Sequence, residues 1–313
     1  MKSICFFSSY YDGEKMPHYV KFYLTELRRH FSEVIFLVNE KTISPEDILF
    51  LSSSNIPYRI YKNEGYDFGM WYKAFKEYDL SIYDRVGLVN DSCILFNNLN
   101  FFFNWIDKQN IDYGGITDCN LIKYHIQSYF IIINKKAIQL VAEYFSKNGI
   151  VKNVKDVIMV YEINLCDYLR EKGMQLGAYY RIKEGSMANP SWIGVKELIK
   201  QGLPLIKKKI IVREYGDADW KVLAMHGFDP IPNHYIKLIK TVAPDSNIDE
   251  LLAGLPIQKN FIVEMKYYAI AFISKGYGMY KKLKRFIYVM IYGDIQNRHG
   301  RVTSDTHRNE TRN

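Results

Sequence analysis

The sequence predicts an α/β protein: a mostly parallel central sheet followed by a helical region toward the carboxyl end. Two observations carry this reading. Over residues 4–61 short apolar runs alternate with stretches of helical spacing, the βαβαβ order that right-handed crossovers turn into parallel strands. Beyond Pro190 the composition shifts toward lysine and long helical patterns.

Taken in order, Ile4–Phe7 reads as a buried strand, and Val20, Tyr23, Leu24, Leu27 and Phe31 recur at helical spacing before a second strand at Val34–Val38. Pro45 opens a helix running through Leu51, since proline in a first turn removes an N–H that had no partner. Tyr58–Tyr61 gives a third strand, and a glycine-bearing loop leads to a helix beginning near Met70. Val86, Gly87, Leu88 and Val89 follow Arg85 as a fully buried strand. Asn100–Ile106 is an aromatic helix, Asp112–Thr117 a glycine-containing connection and Tyr129–Ile133 a returning strand. Helices then cover Lys135–Phe145 and Asp156–Glu171, the latter stopping before Gly173, and Gln175–Tyr179 is a last strand. This organisation places an α/β domain at residues 1–205, a basic helical region at 206–293 and a flexible polar tail at 294–313.

The segment from Asn63 to Ser92 concentrates the chemistry. Asn90, Asp91 and Ser92 sit at the carboxyl end of a buried strand, the edge where open α/β sheets bind ligands. A sugar nucleotide carries a diphosphate, which hard oxygen ligands can meet through a divalent cation: Asp91 offers a carboxylate, Asn90 and Ser92 further oxygens. Read alone, the triplet fits a turn or helix cap better. Upstream, Gly65 and Gly69 permit close backbone approach to a ligand, while Asn63 and Asp67 offer groups for a ribose, base or sugar hydroxyl. The alternative is a glycine turn with Asp67 capping the following helix.

These pieces in this order resemble one family. Asn63-Glu64-Gly65-Tyr66-Asp67-Phe68-Gly69, Tyr83-Asp84, Asn90-Asp91-Ser92 and His125-Ile126-Gln127-Ser128-Tyr129-Phe130 are similar to the rhamnan synthesis protein F family of bacterial glycosyltransferases. The resemblance runs from the first strand to Arg213 and takes in Asn189-Pro190 and Pro204-Leu205-Ile206-Lys207. It implies a nucleotide-sugar-binding fold of the GT-A type that extends a rhamnose-containing cell-surface polysaccharide such as an O-antigen, with deoxythymidine-diphosphate rhamnose as donor and a lipid-linked glycan as acceptor. The wider GT-A pattern carries Asp-any-Asp, whereas this triplet has one acid, so the manganese or magnesium ion expected there is left open.

Within the second half, His125 and Gln127 match the family motif and are expected to contact phosphate, metal or acceptor, against the alternative of a structural histidine at a strand edge. Inverting GT-A enzymes place a base carboxylate at the start of a helix in this part of the fold, which by analogy makes Glu162 the first candidate for general base. Asp156 and Asp167 compete with it, and Asp118, after Gly114, Gly115 and Thr117 in a loop, is the alternative.

Composition sets the remaining bounds. The 313 residues carry 15% aromatics, 26 of them tyrosine and 18 phenylalanine, most of which serve a core. Cys5, Cys93, Cys119 and Cys166 have no paired spacing, which excludes a zinc or dithiol motif and fits a reducing cytoplasm. Asp12 and Glu14 interrupt the amino-terminal apolar stretch before a leader core forms, and Phe261–Ile273 and Phe286–Tyr292 are too short or broken to span a bilayer. Lys207-Lys208-Lys209 and the Lys281, Lys282, Lys284, Arg285 group, interleaved with Tyr277, Tyr280, Leu283 and Phe286, suit either a solvated helix face or the inner face of an anionic plasma membrane. The charge of +8 alone would permit single-stranded nucleic acid, but it gathers late in the chain without an RNA-binding signature, so no nucleic acid is expected. A non-catalytic nucleotide-sugar or glycan binder stays as the second reading.

Overall fold

The computed structural model describes residues 1–11, 14–40, 43–181, 189–212 and 228–257, together with Ala224, Met265 and Tyr267. The chain divides into two compact units, one of Met1–Glu214 with Ile231–Lys259 and one of Tyr215–Pro230 with Asn260–Asn313. Nearly all of the second lies outside the described residues, including the basic aromatic stretch from Tyr277 to Tyr292 and the tail after Asp294. Among the described residues no helix is long and apolar enough to cross a membrane.

The first unit is built on an eight-stranded, mostly parallel sheet of order β3-β2-β1-β4-β8-β6-β7, with β9 beside β6. Its strands are β1 (Ser3–Ser9), β2 (Glu33–Asn39), β3 (Tyr58–Tyr61), β4 (Arg85–Asn90), β6 (Tyr113–Cys119), β7 (His125–Ile126), β8 (Phe130–Asn134) and β9 (Leu176–Tyr180). β1 pairs in parallel with both β2 and β4, whereas β8 runs antiparallel to β4 and β6. A separate ribbon joins β5 (Cys93–Leu95) to β10 (Leu205–Lys207).

The parallel half forms as its alternation predicts. Helices α1 (His18–Arg28), α2 (Pro45–Ser53) and α3 (Tyr66–Glu77) connect β1 through β4. The chain steps outward from β1 to β2 and β3, then returns to place β4 on the other side of β1. Two right-handed crossovers in opposite directions put α1 and α3 on opposite faces of the sheet. Phe68, Met70, Trp71 and Ala74 of α3 pack in one core with Ile4 and Phe6 of β1 and Val86 and Leu88 of β4. On the other side Tyr23 of α1 meets Phe7 edge-on at 5.1 Å between ring centroids. Each such side chain contributes roughly 1.5–3 kcal/mol by leaving water.

Two expectations are corrected. Residues 112–117 are no loop: they enter the fully buried strand β6, and Asp118 lies inside it opposite Ile126 of β7. The glycines there serve close packing, because a Cβ on Gly115 would stand 2.4 Å from Ile126 Cγ2 and 2.6 Å from the Phe130 carbonyl oxygen. The second correction is that α3 starts at Tyr66 and not near Met70, after Gly65 turns the chain at φ 75°. The expected helix at 156–171 does form, flanked by α4 (Lys135–Asn148), but its middle, Ile158–Asn164, is wound as a π-helix between α-helical Val154–Val157 and Leu165–Glu171.

Candidate active site

The switch point of the sheet lies between β1 and β4, where the crossovers diverge and leave a crevice at the strands' carboxyl ends. Both strands end there in polar residues. Alternation along β1 sends Ser8 and Ser9 to opposite faces. Ser8 Oγ donates to Asp67 Oδ1 of α3 at 2.8 Å, while Ser9 Oγ donates to Asp91 Oδ2 at 3.0 Å. Asn90 joins the two acids from β4, its Nδ2 donating to Asp67 Oδ2 at 2.8 Å. Its Oδ1 receives Ser92 Oγ at 2.6 Å.

Asp91 is buried and heavily engaged. Its Oδ2 also accepts from Tyr19 of α1 at 3.3 Å and from Lys208 Nζ at 3.1 Å. Burial first, then the Asp91 charge and hydrogen bond, push the Tyr19 hydroxyl well above its ordinary pKa, so it stays a donor. Lys208 arrives through the β5–β10 ribbon: Lys207 lies opposite Cys93, and the Lys208 N–H donates to the Ser92 carbonyl at 2.8 Å. Lys207 Nζ then stands 3.5 Å from Ser92 Oγ and 4.7 Å above the Tyr129 ring.

Asp67 is not the helix cap that a turn reading would make it. No side chain caps α3, and the Asp67 carboxyl points from the first turn to the strand ends. Desolvation raises its pKa to about 6, the Asp91 charge adding to the rise while the Ser8 bond, Lys207 and Lys208 oppose it. Gly65 and Gly69 allow close approach of the chain to itself: a Cβ on Gly69 would lie 1.7 Å from the Glu64 carbonyl oxygen, and one on Gly65 2.8 Å from Ile150 Cγ2. Asn63 is exposed in the loop before them.

The same edge continues across β8. The Asn90 N–H donates to the Tyr129 carbonyl at 3.2 Å, so the residue before Tyr129 stands beside the Asn90-Asp91-Ser92 triplet. That residue is Ser128, whose Oγ donates to Glu162 Oε1 at 2.6 Å. His125 Nε2 lies 3.9 Å from Glu162 Oε2, with Nδ1 2.8 Å from the Lys123 carbonyl oxygen, which fixes the ring. Glu162 sits in the π-helical segment, a winding often found at functional positions. Its side chain is 20% exposed, whereas Asp118 is buried in β6 at 2%. Asp156 is exposed, and Asp167 is paired with Lys123 and Arg170. Gln127 turns from His125's neighbours to a buried network, accepting from Thr117 Oγ1 at 2.5 Å and donating to Asn189 Oδ1 at 2.9 Å.

The sequence profile of the rhamnan synthesis protein F family matches residues 34–268, which includes the Asp67–Asp91 crevice, Glu162 and both lysines. The chain belongs to that family. The virulence protein VirA of Vibrio anguillarum is 29% identical over 130 residues, which cover 39% of this chain and 41% of that protein, so the alignment spans about two fifths of either. Among solved structures, a mannosyltransferase from Pyrobaculum calidifontis in complex with GDP-Man and Mn2+ aligns at 8% identity and a TM-score of 0.44, covering 92% of this chain and 84% of its own. A cytidylyltransferase from Leptospira borgpetersenii aligns at 13% identity and a TM-score of 0.40, covering 83% and 100%. Both scores are below 0.5, and the assignment rests on the family match.

For this rhamnan synthesis protein F member, a protein-held divalent cation would need several hard oxygen ligands free at one point. Among the described residues no group of three His, Cys, Asp or Glu gathers in that way. Asp91 is answered by Lys208, and both Asp67 oxygens already accept hydrogen bonds. That donor set offers no all-protein cage; an ion shared with substrate phosphates would have Asp91 as its carboxylate, which Lys208 already answers. Sequence reasoning passed over Ser8, Ser9, Tyr19, Lys207 and Lys208 as site residues. The serine pair ending the apolar run of β1 was the available local signal.

Proposed function

We propose that this member of a glycosyltransferase family inverts the anomeric centre as it moves a sugar from a nucleotide-sugar donor to a growing cell-surface polysaccharide. Rhamnose, from a deoxythymidine-diphosphate donor, is the favoured sugar, and a lipid-linked glycan is the acceptor. The observation that carries the reading is the chain of contacts Asp91–Asn90–Tyr129–Ser128–Glu162, which supports a donor edge and a base carboxylate meeting at one end of β4 and β8.

In this reading the donor diphosphate lies over Asp91 and Ser92, with Asn63 and Asp67 orienting nucleotide or sugar. The acceptor hydroxyl oxygen attacks the anomeric carbon, its proton passes to Glu162, and the bond from that carbon to the diphosphate oxygen breaks on the opposite side. The nucleoside diphosphate leaves with the bonding electrons. Ser128 holds the base in one orientation.

The test is Glu162→Gln, which preserves shape but accepts no proton. With a synthetic or lipid-linked glycan acceptor, transfer should slow by roughly a hundredfold or more while donor binding holds. Full activity would move the role to Asp118. Donor binding without transfer in the wild type, across a panel of acceptors, would favour the non-catalytic binder.

A further inference from the structure

We propose that Lys207 and Lys208 form a two-lysine clamp for the donor diphosphate, taking the place of the divalent cation that a second carboxylate would hold. The proposal rests on the donor-site reading and adds which groups neutralise the leaving phosphate.

The charge balance at the crevice supports it. Asp67 and Asp91 stand close enough for the Asp91 charge to raise the Asp67 pKa, and a diphosphate entering beside two acids needs cations to meet it. Lys208 matches Asp91 at 3.1 Å and also donates to Tyr19 at 3.0 Å, so its ammonium is fixed at the strand end. Lys207 is placed differently. Its neighbours are the Ser92 hydroxyl at 3.5 Å and the Tyr129 ring face at 4.7 Å, and among the described residues no carboxylate is in ion-pair contact with it. A half-buried ammonium held over an aromatic ring and a hydroxyl is a cation set toward an anion. The ribbon fixes both lysines over the Asp91-Ser92 step through the Lys207–Cys93 register and the Lys208 N–H to Ser92 bond. A lysine serves phosphate as a flexible point charge, which suits a leaving group whose negative charge grows as its bond breaks.

The experiment titrates the full chain calorimetrically with dTDP, UDP, GDP and inorganic pyrophosphate, in EDTA and then with magnesium or manganese. Pyrophosphate and at least one nucleoside diphosphate should bind in EDTA. Lys207→Met should weaken each about 10- to 100-fold, as loss of a charge-assisted hydrogen bond does, and Lys207→Arg should recover most of it. Lys208→Met should weaken them too, with melting curves separating this from unfolding. Binding that needs the divalent ion and ignores Lys207→Met would overturn the clamp while leaving the donor site standing. A loss in Lys208→Met alone overturns it as well. If no nucleoside diphosphate binds the wild type under any condition, the clamp and the donor-site reading fall together.

Discussion

Asp91→Asn separates two roles for the single acid of the triplet, because the structure gives opposite signs for its effect on stability and on donor binding. The carboxylate is 8% exposed and Lys208 23% exposed, so the pair is held mostly out of water. The amide keeps one acceptor for Ser9 or Tyr19 but forfeits the charge-assisted bond to Lys208, worth about 1.5–3 kcal/mol. For a unit of this size each kilocalorie moves the melting temperature by about 2–4 °C, which gives an expected fall of roughly 3–12 °C. Donor binding should not fall with it. Removing one negative charge and releasing the Lys208 ammonium favours a diphosphate, and affinity for dTDP in EDTA should hold or tighten by up to about tenfold, about 1.4 kcal/mol. Transfer itself should drop, since Lys208 has lost the group that positions it. Scanning fluorimetry, calorimetry and a transfer assay on the same preparation read the three quantities. An Asp91→Asn protein with unchanged melting and a tenfold or greater loss of dTDP affinity, in a wild type whose binding needs manganese, would show that Asp91 is a metal ligand and refute this reasoning.

Other consequences are open to shorter tests. The folded Asp67 carboxyl titrates at about 6, above its unfolded value, so its contribution is complete below that lower value and is lost as pH rises through about 6. Melting of the wild type should therefore lose ground to Asp67→Asn as pH rises from about 4 to about 6 and hold a steady difference above that, and a constant difference from about pH 4 to about pH 6 would deny the shift. Gly69→Ala should cost more than about 3 kcal/mol or prevent folding, given a Cβ 1.7 Å from the Glu64 oxygen, whereas Gly173→Ala, at φ 77° with open space around it, should cost about 1 kcal/mol in denaturant titration. Equal effects of the two would mean that the Gly69 turn relaxes. Truncation after Gly276 should abolish binding to anionic liposomes if the Tyr277–Tyr292 stretch is the membrane contact. Unchanged sedimentation with vesicles would assign that contact elsewhere.

The parallel half was legible because its signals are local: β1 to β4 follow from apolar runs, helical spacing and one proline. Gly114-Gly115 misled for a physical reason, since paired glycines mark a turn when solvent surrounds them and a crowded strand when Gly177, Ile126 and Phe130 do. The start of α3 was hidden by Gly65 and Tyr66, which begin the helix from the left-handed region at φ 75° and 57°. Asp91 and Glu162 could be singled out from a motif and an analogy. The lysines that complete the crevice could not, because Lys208 lies 117 positions from Asp91 and only the ribbon brings them together. Within the basic run they fitted a solvated face or a membrane contact equally, and the family-like Pro204-Leu205-Ile206-Lys207 stretch carried no role for Lys207.

That ribbon also sets an order of events during synthesis. By the time Tyr180 has been made the chain contains all eight strands of the main sheet and both acids of the crevice, while Lys207 and Lys208 are still to come. A chain stopped there can thus hold the strands of the sheet while presenting two carboxylates and neither lysine at the crevice. Only when β10 docks on β5 are these two carboxylates answered by two ammonium groups, so under the proposed clamp capture of an anionic ligand would report that the carboxyl-terminal part of the unit has closed on the rest.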